Sequence, residues 1–232
     1  MKKKNKILID RLLGVFLCFI LRVPTFIIEL ILRRKHHMPP KDVSIILVAK
    51  YIGIGSILQS TPMLSGLKKR YPKAKIIYLT TKSNFQLVKS YKFIDDVICI
   101  DDRSFFKTIV SSANAIAQLI SKRIDIFIDL ELHSIYGSLM ALFSCAKNRL
   151  GFFVDNANFK AYMYTHLLFF NSNFPIRYCY NQLAQLAGVN PQDIEESLIL
   201  SHLTAGIHAN TLGNRYDLSI NKIDKILNSV LK

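Results

Sequence analysis

Cysteine is sparse and never paired in this 232-residue chain: Cys18, Cys99, Cys145 and Cys179 are widely separated, with no CxxC and no histidine near them at zinc-ligand spacing. That argues against a metal site and a disulfide framework, and favours a reducing compartment. Acidic residues are also few, 16 Asp and Glu against 31 Lys and Arg, leaving a formal charge of +15. The chain has no internal repeat, no low-complexity tract and no recognisable nucleic-acid motif, and its lysines are dispersed, so no nucleic-acid partner is expected. No small-residue cleavage site follows the amino-terminal apolar stretch, which argues against a secretory signal.

Half of the residues are apolar, enough for a sizeable core in one large domain or one domain with appendages. The positive balance suggests an anionic partner: nucleic acid, a phosphorylated sugar or acidic lipid. A lysine-rich composition of an AT-rich genome explains the same number without a partner. His36-His37 stands beside a basic cluster and reads as a solvated flank.

Lys2, Lys3, Lys4 and Lys6 precede an apolar run from Leu12 to Leu21; Arg22 and Pro24 interrupt it, and a second run from Phe26 to Leu32 ends at Arg33-Arg34-Lys35. The span is long enough for a bilayer, which takes about 20 residues. A central arginine costs roughly 2.5–3.5 kcal/mol there, and proline kinks the helix. Residues 1–38 are therefore expected to form a membrane-seated helix or kinked helix pair with basic flanks on an anionic surface. A single tilted span and an amphipathic helix packed on the protein itself are the other readings.

Met38-Pro39-Pro40-Lys41 breaks the chain before a domain assigned to residues 39–190. There the pattern alternates. Strands are expected at Val43–Ala49, Ala74–Leu79, Asp96–Ile100, Ile124–Leu130 and Arg149–Phe153. Helices are expected at Ser56–Arg70, Asn84–Tyr91 with Ser83 or Asn84 as cap, Phe105–Ser121, His133–Cys145 and Ile176–Ala187, the last ending at Gly188. The fold class is α/β, a Rossmann-like parallel sheet with helices on both faces. Residues 156–170 read as loop and helix. Residues 191–232 form a helical tail, with helices at Ser197–Thr211 and Ser219–Leu231.

The first crossover is the place to look for chemistry, because open α/β sheets bind ligands at the carboxyl ends of their strands. Gly53 and Gly55 allow a tight turn and close backbone approach, and Ser56 is expected to cap the following helix and leave N–H groups for an anion. A merely tight strand-to-helix turn explains the glycines equally well. The dinucleotide fingerprint is excluded, since Gln59 follows Leu58 where a third small residue would stand. At the end of the fourth strand come Asp129, Glu131 and His133. Alternation puts Asp129 and Glu131 on one side, where they would accept sugar hydroxyls or move a proton. A helix-capping aspartate and a solvated glutamate are the other reading.

These segments resemble glycosyltransferase family 9, the lipopolysaccharide heptosyltransferase type, from about Ile9 to about Asn190. The resemblance is carried by Ile46–Lys50, Ile54-Gly55-Ser56, Thr61-Pro62-Met63-Leu64, Leu67-Lys68 and Tyr71–Ile76. It continues through Ile94–Ile98, Asp125–Leu132 and Ala146–Phe152. It implies the amino-terminal, acceptor-holding half of a GT-B enzyme. The implied reaction is inverting sugar transfer from a nucleotide-sugar to a lipid-linked acceptor, without metal or cofactor. In the family an aspartate in the first turn deprotonates the acceptor; here Ser56 occupies that position, and a serine hydroxyl is no general base without an activating partner. An arginine common after the fourth strand falls on Ile135.

Ser56 is thus the candidate catalytic position, and Lys50, Gly53, Gly55, Thr61, Asp129 and Glu131 are the candidate acceptor-binding residues. The donor half is not recognisable, so the expected protein is a transferase fragment, inactive alone, with a separately encoded donor domain as candidate partner. Its expected place is the cytoplasmic face of the bacterial inner membrane, peripheral or single-span. The alternative is a non-catalytic, membrane-associated binding module that keeps the fold.

Overall fold

The structure, a computed structural model, describes Phe16, Ile20, Val23 and residues 36–154, 159–161 and 163–194. Most of the amino-terminal segment 1–38, and the helices expected at 197–211 and 219–231, lie outside the described residues. Phe16, Ile20 and Val23 are helical and exposed. Among the described residues no helix is long and apolar enough to cross a membrane.

The alternation is realised as strands β1 (Ile45–Ala49), β2 (Lys75–Thr81), β3 (Asp96–Ile100), β4 (Ile126–Asp129), β5 (Asn148–Phe153) and β6 (His166–Phe169). The helices are α1 (Ile54–Gln59), α2 (Thr61–Arg70), α3 (Phe85–Lys89), α4 (Phe105–Lys122), α5 (Ile135–Phe143) and α6 (Ile176–Leu186). All six strands are parallel, in the order β3-β2-β1-β4-β5-β6. β1 is central because its run IILVA is apolar on both faces, as a strand covered on both sides must be. Ile46 and Val48 face one cluster with Ile126, Ile128, Leu183 and Tyr180. Leu47 and Ala49 face the other, with Ile77, Phe127, Leu119 and Met140.

Three expectations are corrected. The helix expected over Ser56–Arg70 is two helices joined at Ser60. Pro62 has no N–H for the Leu58 carbonyl, and the Thr61 hydroxyl donates to that carbonyl instead, at 2.7 Å. Asn84 stands at the N-cap position of α3 but makes no side-chain cap hydrogen bond: its amide donates to the Tyr51 carbonyl at 2.8 Å, and a short 3₁₀ turn, Lys82–Asn84, leads into the helix. Part of the stretch read as loop and helix is the sixth strand, β6, paired from Leu150↔His166 to Phe153↔Phe169. A four-residue edge strand with no fully buried position shows no alternation to read.

Candidate functional site

β1 and β4 are neighbours, so the turn after β1 and the loop after β4 meet at the carboxyl edge of the sheet. Gly53 makes the turn possible. Its φ of 95° is one that a side chain rarely adopts. It is also the residue at the start of α1; Ser56 lies one turn inside that helix and does not cap it. The earlier start follows from Gly53, whose carbonyl accepts the first helical bond from the Ile57 N–H at 3.1 Å.

The anion that the turn's N–H groups hold is internal. Glu131 Oε1 accepts from the Tyr51 and Ile52 N–H groups at 2.9 and 3.1 Å, and Oε2 from Lys50 Nζ at 3.0 Å. The Tyr51 carbonyl is held in turn by Thr81 Oγ1 at 3.1 Å and by Asn84. The β1–α1 turn is thus pinned on both sides, and Lys50 is almost fully buried with its charge matched by Glu131.

Asp129 and Glu131 do not act as one open pair. β4 ends at Asp129, so strand alternation stops before Glu131. Asp129 is 0 % exposed; its carboxylate accepts from the Glu131 N–H at 3.0 Å, from Lys160 Nζ at 3.2 Å, and from the Tyr164 hydroxyl. Lys160, also 0 % exposed, donates to the Glu131 carbonyl as well. The Glu131 main chain is therefore gripped at its N–H by Asp129 and at its C=O by Lys160, while its carboxylate grips the turn. Burial, and then the charge of Asp129, push the Tyr164 hydroxyl well above its ordinary pKa, so it is a neutral donor.

A pocket of about 460 Å³ opens over this scaffold. Lys50, Ser56, Glu131, His133, Ser134 and Tyr180 supply its polar atoms, and Ile52, Leu130, Leu132 and Ile176 its apolar wall. Burial raises the Tyr180 hydroxyl pKa, and the Ser56 hydroxyl beside it acts against that rise. Of the residues singled out in the sequence, Lys50, Ser56, Glu131 and His133 line the pocket. Gly53, Gly55 and Thr61 lie in the turn and helices beside it, and Asp129 lies buried behind it. Sequence reasoning missed Tyr180, Ile176, Lys160 and Tyr164; only the helical spacing of α6 pointed toward the first two. Among the described residues no group of three or more His, Cys, Asp or Glu is placed to hold a metal ion.

With four acceptor positions on a carboxylate and three donors already on it, Glu131 keeps room for about one more hydrogen bond. A lining that combines hydroxyls, a carboxylate and an ammonium with apolar side chains suits a ligand carrying both hydroxyls and C–H surface.

The chain matches no protein-family model and no curated protein. It does match solved structures. A glycosyl transferase family 9 protein from Veillonella parvula DSM 2008 is 22% identical, with a TM-score of 0.57, over 65% of this chain and 42% of that one. E. coli ADP-heptose lps heptosyltransferase II is 19% identical, with a TM-score of 0.52, over 65% and 43%. E. coli heptosyltransferase WaaC, solved with ADP, is 16% identical, with a TM-score of 0.53, over 67% and 53%. The match thus spans about half of each of these proteins or less. The chain carries a heptosyltransferase-like α/β fold, corresponding to part of a family 9 glycosyltransferase structure.

Proposed function

We propose that this chain is the acceptor-holding half of a glycosyltransferase of lipopolysaccharide or cell-surface glycan biosynthesis, and that its pocket takes a sugar of a lipid-linked acceptor. The observation that carries the reading is the pocket at the β1 and β4 carboxyl ends, with Lys50, Ser56 and Glu131 in its lining, on a heptosyltransferase-like fold. In this reading Glu131 and Ser56 hold acceptor hydroxyls, and Lys50 holds the Glu131 carboxylate in place. A nucleotide-sugar is presented by a donor half, joined to this chain or separate. The protein works at the cytoplasmic face of the inner membrane.

A second reading has support in one feature. A catalytic base must be free to take a proton, yet Glu131 is already bound by three donors. That favours a binding module that grips the acceptor without transferring sugar to it. Addition of a nucleotide-sugar and a donor half to the acceptor-loaded chain separates the two: sugar transfer supports the enzyme, and binding without transfer supports the module.

Gly55 offers a clean probe of the acceptor-binding role. A Cβ at Gly55 meets no heavy atom within 4 Å, so the fold itself does not require glycine there. Gly55→Val is expected to keep the stability within about 0.5 kcal/mol, since a valine in a helix is no worse than glycine. It should also weaken binding of a core oligosaccharide at least tenfold by blocking approach to the turn. An unchanged dissociation constant in calorimetry removes Gly55 from the site.

A further inference from the structure

A parallel sheet has two unlike edges, and this one loads its amino edge with positive charge. Every strand begins there, and every helix returning from the carboxyl edge ends there. Arg70 closes α2, Lys73 precedes β2 and Lys75 opens it, Lys92 precedes β3, Arg123 follows α4, and Lys147 leads into β5; all six are exposed. The aspartates of this edge are largely committed. Asp95 pairs with Lys68 at 2.9 Å, Asp96 with Lys122 at 3.2 Å, and Asp125 accepts from the Ser44 and Ile45 N–H groups.

Cations at helix carboxyl ends are favoured by the helix dipole, which accounts for Arg70 and Arg123. Lys73, Lys92 and Lys147 stand in connections and Lys75 at the first position of β2, where the dipole gives them nothing. The chain also reaches the domain along this edge. His36 Nδ1 lies 2.6 Å from the Lys147 carbonyl oxygen, Pro39 abuts Gly188, and the Tyr71 hydroxyl lies 3.5 Å from the Pro40 carbonyl oxygen. Immediately before these residues stand Arg33-Arg34-Lys35, then the two apolar runs, then Lys2, Lys3, Lys4 and Lys6. The basic tract of the sequence therefore runs into the basic edge of the fold.

We infer that the amino edge of the sheet, centred on Lys73, Lys75, Lys92 and Lys147, docks this domain on an anionic bilayer surface. A duplex nucleic acid offers the same charge, but only a bilayer also takes up the apolar runs that precede the edge. If the acceptor reading above is correct, docking has a consequence for the substrate. The pocket then opens on the far edge, roughly 15–20 Å from the docked one at the rise of a β-strand. The acceptor must be an extended glycan headgroup that reaches past the domain, and not a sugar next to the lipid.

The test is flotation of the full chain with vesicles of phosphatidylcholine alone or with added phosphatidylglycerol, which carry no glycan and so leave the acceptor reading untouched. Binding is expected only to the anionic vesicles and is expected to weaken with salt. Each lysine at an anionic surface contributes about fivefold, so Lys73→Glu/Lys75→Glu/Lys92→Glu/Lys147→Glu should lower affinity by on the order of 10²-fold or more. Lys82→Gln/Lys107→Glu, at the opposite edge, should change it little. In the unaltered chain, vesicles should protect Lys73, Lys75, Lys92 and Lys147 from acylation and leave Lys107 reactive, a readout that does not depend on a variant folding. Equal losses for the two variants, or equal protection of both edges, would overturn the assignment. So would binding to duplex DNA that the first variant abolishes, in the absence of vesicle binding.

Discussion

Replacing Lys160 with methionine should lower the unfolding free energy by about 3–5 kcal/mol, the usual result of removing one partner of a buried ion pair. Lys160 and Asp129 are both fully buried, with Nζ 3.2 Å from Oδ2. Methionine fills much of the same volume, so the loss is electrostatic. It strands the Asp129 carboxylate with only the Tyr164 hydroxyl and the Glu131 N–H, and leaves the Glu131 carbonyl without its buried donor. In urea the midpoint should fall without a change in slope. Adding Asp129→Asn to Lys160→Met should recover part of the loss, because the stranded charge is then gone. A single-variant loss under about 1 kcal/mol would mean that the pair does not hold the β4 loop.

Alkaline unfolding is the second large effect. Tyr51, Tyr78, Tyr164 and Tyr180 are buried, and burial is the leading cause that raises the pKa of each hydroxyl above 10.0. The sign follows from proton counting. Above about pH 10 the unfolded chain releases these protons and the folded chain keeps them, so stability is intact below pH 10 and falls as pH rises. Each such tyrosine contributes a slope of up to about 1.4 kcal/mol per pH unit, and the four together up to about 5–6. Against a typical stability of about 5–15 kcal/mol, that predicts cooperative unfolding within roughly one to three pH units above 10. Tyrosinate absorbance and circular dichroism should change together. Gradual titration of these tyrosines with the fold intact would show that they are accessible to solvent.

The sheet was legible because its strands are short apolar runs between turn signals. Asp96–Ile100 was read to the residue, and β1, β2, β4 and β5 to within two residues at each end. β6 was not legible because none of its four residues is fully buried, whereas β3, the other edge strand, buries Ile98 and Ile100 in alternation. The break between α1 and α2 was visible in principle: Pro62 cannot continue the helical ladder, and Thr61 can satisfy the carbonyl that Pro62 leaves. The site was half legible. The Gly53 turn and the carboxylates after β4 could be placed together from topology alone. That Asp129 is buried could not, because the cause is Lys160, 31 residues on, in a stretch without hydrophobic period. The same holds for the turn's anion. In the sequence alone the N–H groups are open to a ligand; Glu131 reaches them because β4 lies beside β1.

Binding of an acceptor sugar in the pocket formed by Lys50, Ser56, Glu131 and Tyr180 is what the functional reading requires above all else. The direct measurement is calorimetric titration of a delipidated, phosphorylated core oligosaccharide into the full chain, with Ser56→Phe as the variant that fills the pocket. Saturable binding by the chain, lost in a Ser56→Phe protein of unchanged thermal stability, is the predicted result. No binding by the chain, or equal binding by both proteins, would contradict the account.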